Sequence, residues 1–309
     1  MAVRFEVTVP SRIDIFELQR CNSQHWPWPG RLSLTFWPPH KEIAMLISKM
    51  EAGTLKLEVH DTAAAAGQAA AYAAAEAIRQ ASRNGNLGVI FATGTSQLET
   101  LRALTSIPNL PWPEITGFHM DEYVGISDQH PASFRRYLRT ELTERVPIGR
   151  FYEINGSSAQ LAETQLEYAR LLKESAPQIC LLGIGENGHL AFNDPHEANF
   201  TDPEIIRVVN LDEACRRQQV GEGWFKTVTD VPQQALTLTI PTLLSVPKLI
   251  VSVPGKRKAK SVRRTVEDPI STACPSTILR THPDATLYLD RESAGDMPGV
   301  LAGNLRTSM

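Results

Sequence analysis

The sequence predicts an α/β fold: a doubly wound, mostly parallel sheet of about six or more strands flanked by helices, in a Rossmann-like three-layer arrangement. Three observations carry that prediction. From Leu55 onward short β-like runs alternate with helical segments. Several of the runs are continuously apolar, as strands buried on both faces are. Four of them end in polar residues, and an open parallel sheet forms its ligand crevice at the carboxyl ends of its strands.

Residues 1–53 stand apart as an irregular, Trp/Pro-rich arm. Trp26-Pro27-Trp28-Pro29-Gly30 and Trp37-Pro38-Pro39 break helices and central strands, because proline lacks an N–H donor and restricts its predecessor. The aromatics there argue for packing on the main body or on a second subunit. Residues 54–292 form the α/β domain and 293–309 a C-terminal tail. Within the domain, 55–59 alternates and predicts a strand near an edge, and 62–82 predicts an alanine-rich helix that can lie close to the sheet. The apolar run 87–91 predicts a buried strand, and 97–104 continues as a helix. Residues 115–120, 179–182, 249–253 and 286–289 complete the strands. Phe134, Tyr137, Leu138 and Leu142 recur at helical spacing.

With 309 residues, 42% hydrophobic and 21% charged, the chain can bury one or two ordinary cores, and a net charge of -3 gives no electrostatic reason to expect nucleic acid or an anionic membrane. Basic residues cluster at Lys256, Arg257, Lys258 and Lys260, a patch suited to one anionic group. Cys21, Cys180, Cys215 and Cys274 are widely spaced, without a CxxC pair. Cys180 reads as an inert core thiol. No signal-peptide pattern and no bilayer-length apolar run is present, so a reduced, cytoplasmic protein is expected.

Thr93-Gly94-Thr95-Ser96 follows a buried strand and opens a helix, so its backbone donors and hydroxyls face an anion at the positive end of the helix dipole. Taken alone, these residues would read better as a helix cap, which loses ground because the loop shares its sheet edge with the other motifs. Gly183-Ile184-Gly185-Glu186-Asn187-Gly188 matches GxGxxG, the dinucleotide fingerprint. That fingerprint opens a helix, whereas here it runs into His189-Leu190-Ala191-Phe192-Asn193-Asp194-Pro195, which stops one. The glycines are better read as a sharp turn that brings His189 over a ligand. His189, Asp194, His119 and His282 have no metal-ligand spacing, and no metal or cofactor is expected.

Phe118-His119-Met120-Asp121-Glu122-Tyr123-Val124-Gly125 with His130-Pro131-Ala132-Ser133-Phe134, and 182–195 as a second block, resemble the signatures of the glucosamine-6-phosphate deaminase/isomerase family. Val231-Pro232 with Ala235-Leu236-Thr237-Leu238, and Gly255 with Lys258-Ala259 ahead of Val266-Glu267, extend the resemblance over roughly 55–290. It implies conversion of glucosamine 6-phosphate to fructose 6-phosphate and ammonia by a catalytic domain at 54–292. By this resemblance Asp121 moves the C2 proton to C1, His189 opens the sugar ring, Asp194 orients His189, Asn187 sits beside them, and Lys258 binds phosphate with Thr93, Gly94, Thr95 and Ser96. Asn187 and Asp194 stand where many members have Asp and Glu.

The segment 200–225 corresponds to a mobile lid. Where the family commonly has an arginine before two aromatics, this chain has Glu222-Gly223-Trp224-Phe225, leaving Arg216 or Arg217 as substitutes for a phosphate ligand. The small-molecule partner implied is a sugar phosphate, and a homo-oligomer is compatible with the sequence. Two alternatives are a 6-phosphogluconolactonase, whose loop continues toward a Ser-Leu-Phe-Pro type sequence, and a non-catalytic sugar-phosphate sensor.

Overall fold

A computed structural model describes residues 45–297 except Asn86 and Glu222. Residues 1–44, with both Trp/Pro clusters and Cys21, and residues 298–309 lie outside the described residues.

The described chain opens with a hairpin, β1 (Leu46–Ala52) antiparallel to β2 (Leu55–His60). Next come α1 (Ala63–Arg83), β3 (Gly88–Phe91), α2 (Leu98–Ser106), β4 (Thr116–His119), β5 (Asp121–Tyr123) and α3 (Phe134–Leu138). β6 (Arg150–Tyr152), α4 (Leu161–Ser175), β7 (Ile179–Leu182), β8 (Ile206–Asn210) and α5 (Glu213–Gly221) follow. The last elements are β9 (Gln234–Leu238), α6 (Ile240–Leu244), β10 (Lys248–Ser252), α7 (Ala259–Glu267) and β11 (Ala285–Asp290).

The main sheet has eight strands in the order β1-β2-β11-β10-β7-β3-β4-β6, all parallel except β1. The apolar runs are explained by two cores, one on each face. Val89 and Phe91 enter one core with Ile179 and Leu181, while Ile90, Cys180 and Leu182 enter the other. Successive side chains of a strand point to opposite faces, so a strand covered on both sides has no polar stripe. α1 lies on the first of these faces with α2, and Ala70, Ala71, Ala74 and Ala75 are fully buried there. Methyl side chains let the helix backbone approach the strands.

Two boundaries differ from the sequence expectation. Part of the predicted arm is β1, whose Ile47, Met50 and Ala52 pack on the core. The turn depends on Gly53, at φ 61°, where a Cβ would lie 2.6 Å from the Arg280 carbonyl oxygen. At the other end, Ser293 and Ala294 are fully buried and Met297 packs into the core, so ordered packing runs past 292. The sequence also left β6, α4, β8 and β9 unassigned.

A second, antiparallel sheet has the order β5-β9-β8. The chain leaves the main sheet at Met120, whose carbonyl accepts from Leu238 N at 2.7 Å. Asp121 then pairs with Thr237. The turn out of β4 therefore places the first residue of β5 directly above the carboxyl edge.

Candidate active site

Strands β3, β4 and β6 are added in one direction across the sheet, and β7, β10 and β11 in the other. The reversal lies between β3 and β7, the kind of position where doubly wound sheets bind ligands. The adjacent strands β10, β7, β3 and β4 are the four that carry the polar motifs.

Two of these loops share a construction. After β3, Gly94 (φ 92°) leads through a 3-10 turn at Thr95–Gln97 into α2; after β10, Gly255 (φ 95°) leads through a 3-10 turn at Lys256–Lys258 into α7. A Cβ at either glycine would meet nothing within 4 Å, so the positive φ, and not crowding, calls for glycine. Gln97, 1% exposed, ties three strand ends together. Its amide donates to Leu182 O at 3.4 Å and Ser252 O at 3.3 Å. Tyr137 donates its hydroxyl to Gly94 O at 2.9 Å and fixes the loop from the outside.

Asp121 and Glu122 are both buried yet have opposite surroundings. The Glu122 carboxylate accepts from Ser133 Oγ (2.8 Å), Arg135 N (3.0 Å), Phe134 N (3.2 Å) and Arg135 Nε (3.2 Å), capping the start of α3 with an ion pair. Asp121 is 6% exposed, and its Oδ1 accepts no hydrogen bond among the described residues. Burial, reinforced by the Glu122 charge, pushes its carboxyl well above the ordinary range. A carboxylate held this way is a stronger base than one in water, which suits proton abstraction.

His189 stands on the turn after β7. A Cβ on Gly185 would lie 2.2 Å from the His189 ring, and Gly188 takes φ 91°. The glycines thus make room for the imidazole and turn the chain, and no helix follows them. His189 Nδ1 lies 2.9 Å from Asp194 Oδ1, which also accepts from Asn187 Nδ2 at 2.7 Å, and Asn187 Oδ1 accepts from His189 N at 3.0 Å. Asp194 is fully buried. Burial opposes its charge, but the His189 charge and hydrogen bonds from His189, Asn187 and Cys215 outweigh it and hold the carboxyl below the usual range. With Nδ1 engaged, Nε2 is the ring nitrogen left for chemistry. Ala191, at φ 52°, continues this strained loop.

One cleft of about 630 Å³, open to solvent, gathers these groups: Thr93, Gly94, Thr95, Ser96, Asp121, His189 and Lys258 all line it. Asn187 and Asp194 sit behind His189 and do not line it. Arg216 and Arg217 do not line it. Arg216 donates to Val228 O and Arg217 pairs with Glu213. The face of α5 that turns inward presents Gln218 and Gln219, joined by Trp224.

Trp224 lies edge-on to Tyr137, centroids 6.4 Å apart. Gln219 Oε1 accepts from Tyr123 Oη at 2.7 Å. The Tyr123 bond docks α5 and the Tyr137 contact docks the residues after it, and nothing in a short polar helix sequence signals them. Tyr123, read from sequence as packing, also lies against Phe134, Phe192 and Phe225 with centroids 5.1, 5.1 and 5.4 Å away. Among the described residues, no three His, Cys, Asp or Glu side chains cluster as metal ligands, and no helix is long and apolar enough to cross a membrane.

The chain is 35% identical over 180 residues to a glucosamine-6-phosphate deaminase of Exiguobacterium sibiricum, covering 58% of this chain and 69% of that one. It is 30% identical over 236 residues to one from Staphylococcus saprophyticus, covering 74% and 95%. The solved structure of a monomeric glucosamine-6-phosphate deaminase superposes with a TM-score of 0.73 at 30% identity, covering 80% of this chain and all of that one. A Trypanosoma brucei 6-phosphogluconolactonase superposes at 0.65 with 19% identity, covering 81% and 100%, a likeness of fold. Residues 60–288 match the family described as glucosamine-6-phosphate isomerases/6-phosphogluconolactonase, and the chain belongs to that family.

Proposed function

We propose that the chain is a glucosamine-6-phosphate deaminase, converting glucosamine 6-phosphate and water to fructose 6-phosphate and ammonia. The observation that carries this reading is that Asp121, His189, Lys258 and the Thr93–Ser96 loop, from four separate strand ends, line one cleft.

Lys258 and the backbone donors at the starts of α2 and α7 hold the phosphate. His189, oriented by Asp194, passes a proton to the ring oxygen and opens the sugar, because an imidazole both gives and takes protons near neutrality. Asp121 removes the C2 proton and returns it at C1. The resulting C2 imine takes up water and loses ammonia. Asn187 holds Asp194 and the His189 backbone in register, an orienting task a neutral amide can perform. Such proton-transfer groups are typically worth about a hundredfold to ten-thousandfold each. The setting is the cytoplasm, since a phosphorylated sugar does not cross a bilayer unaided.

Ammonia and fructose 6-phosphate are expected when purified protein meets glucosamine 6-phosphate. Asp121→Asn and His189→Gln are each expected to lower kcat by about a hundredfold or more with the circular-dichroism spectrum unchanged. Hydrolysis of 6-phosphogluconolactone with no action on amino sugars would instead make the chain a lactonase, and binding without turnover of either compound would make it a sensor.

A further inference from the structure

The cleft has an asymmetric set of donors. Lys258 and the Thr93–Ser96 loop line it as the proposed phosphate ligands, and β5 turns Asp121 and Tyr123 to one side of the strand, two residues apart. Gln219 joins the Tyr123 side. It is 6% exposed, lines the cleft, and the one hydrogen bond of its side chain among the described residues is the acceptance at Oε1 from Tyr123 Oη, 2.7 Å. That bond fixes the plane of the carboxamide and leaves its NH₂ group without a protein partner among the described residues.

An amide NH₂ that lines the cleft without a protein partner among the described residues is a donor that a bound molecule can complete. Gln219 is uncharged and tethered beside the strand that carries Asp121, so it fits a hydroxyl better than a phosphate. We infer that Gln219 is a specificity-determining residue that donates to a hydroxyl of the sugar chain, between the reacting carbons and the phosphate. This rests on the proposed reaction for its substrate class, but the contact itself needs only a phosphorylated polyol in the cleft.

The role expected of the lid thereby changes. With Arg216 and Arg217 turned to Val228 and Glu213, the inward face of α5 reads neutral hydroxyls and contributes no charge. Discrimination between hexose configurations then falls to an amide whose orientation Tyr123 sets. A site built to hydrogen-bond a hydroxyl penalises an analogue that misplaces it, because the protein donor is left unpaired.

The test compares Gln219→Leu, similar in size but without donors, and Tyr123→Phe, which removes the bond that orients the amide. Calorimetry with two probes, fructose 6-phosphate and inorganic phosphate, is run on wild type and both variants, and steady-state kinetics with glucosamine and galactosamine 6-phosphates runs beside it. Expected in Gln219→Leu is about fivefold to tenfold weaker binding of the sugar phosphate, the loss of roughly one neutral hydrogen bond, with phosphate affinity unchanged. KM should rise more than kcat falls, and the preference between the two amino sugars should narrow. Tyr123→Phe should show the same pattern more weakly.

Equal weakening of both probes would place Gln219 on the phosphate and overturn the inference, as would unchanged affinity for both. If wild type turns over neither amino sugar, the proposed reaction fails while the calorimetric difference still decides the Gln219 contact. Should Gln219→Leu not fold, Tyr123→Phe carries the same comparison.

Discussion

Asp121 and Glu122 show how little of a residue's chemistry resides in its type. Both are carboxylates in one short strand, but Glu122 faces the capped start of α3, whereas Asp121 lines the cleft and its buried Oδ1 has no donor among the described residues. A carboxyl whose folded-state pKa is raised keeps its proton to higher pH in the native than in the unfolded chain. Stability therefore falls as pH climbs from the ordinary carboxylate value through the raised one, and the cost persists above it. Replacing Asp121 with Asn should remove that dependence and stabilise the protein by about 1 kcal/mol at neutral pH, read from urea unfolding at several pH values. The same raised value should set the acid limb of kcat/KM well above the ordinary carboxylate range, since the base must be ionised. A limb near pH 4, or an Asp121→Asn variant less stable than wild type at neutral pH, would count against this account. Asp194 behaves oppositely: its depressed pKa contributes stability that is present above the ordinary value and lost as acid protonates it.

At the scale of elements, the loops after β3, β7 and β10 were legible because glycine, capping residues and an apolar run together describe a strand turning at a buried edge. The turn holding His189 depends on a missing side chain. Gly185→Ala would set a Cβ 2.2 Å from the ring, so the imidazole must move off Asp194. Activity should fall about a hundredfold while the melting temperature changes by only a few degrees; unchanged turnover would show that the ring tolerates the shift. β1 and α5 were not legible. β1 is a half-exposed edge strand containing Ser48, Lys49 and Glu51, so it lacks the apolar signature of a central strand. For α5, the family resemblance left Arg216 and Arg217 as candidate ligands. Which face of a helix turns inward depends on contacts far along the chain, here Tyr123 with Gln219 and Tyr137 with Trp224. Charge in a sequence marks candidates, and docking chooses among them.

For the whole molecule, the fold class and the residues that meet in the cleft were legible in the sequence because the signature blocks coincide with strand ends. The hinge into the second sheet could not, because Met120 carries no turn chemistry. One property of the strand order reaches past catalysis, to how the chain is made. β2 pairs with β11, the first parallel strand with the last, and β7, β10 and β11 fill the space between β2 and β3. A nascent polypeptide leaving the ribosome can close the β1–β2 hairpin at once, but β2 has no further strand to pair with until β11 emerges. Such distant pairings slow folding. A chain stopped after residue 247 should stay protease-sensitive throughout 46–60, whereas protection there would mean the hairpin finds another home. Synthesis thus holds the two ends of the sheet apart until Lys258 has already been added, so a finished sheet never carries the cleft without this lysine.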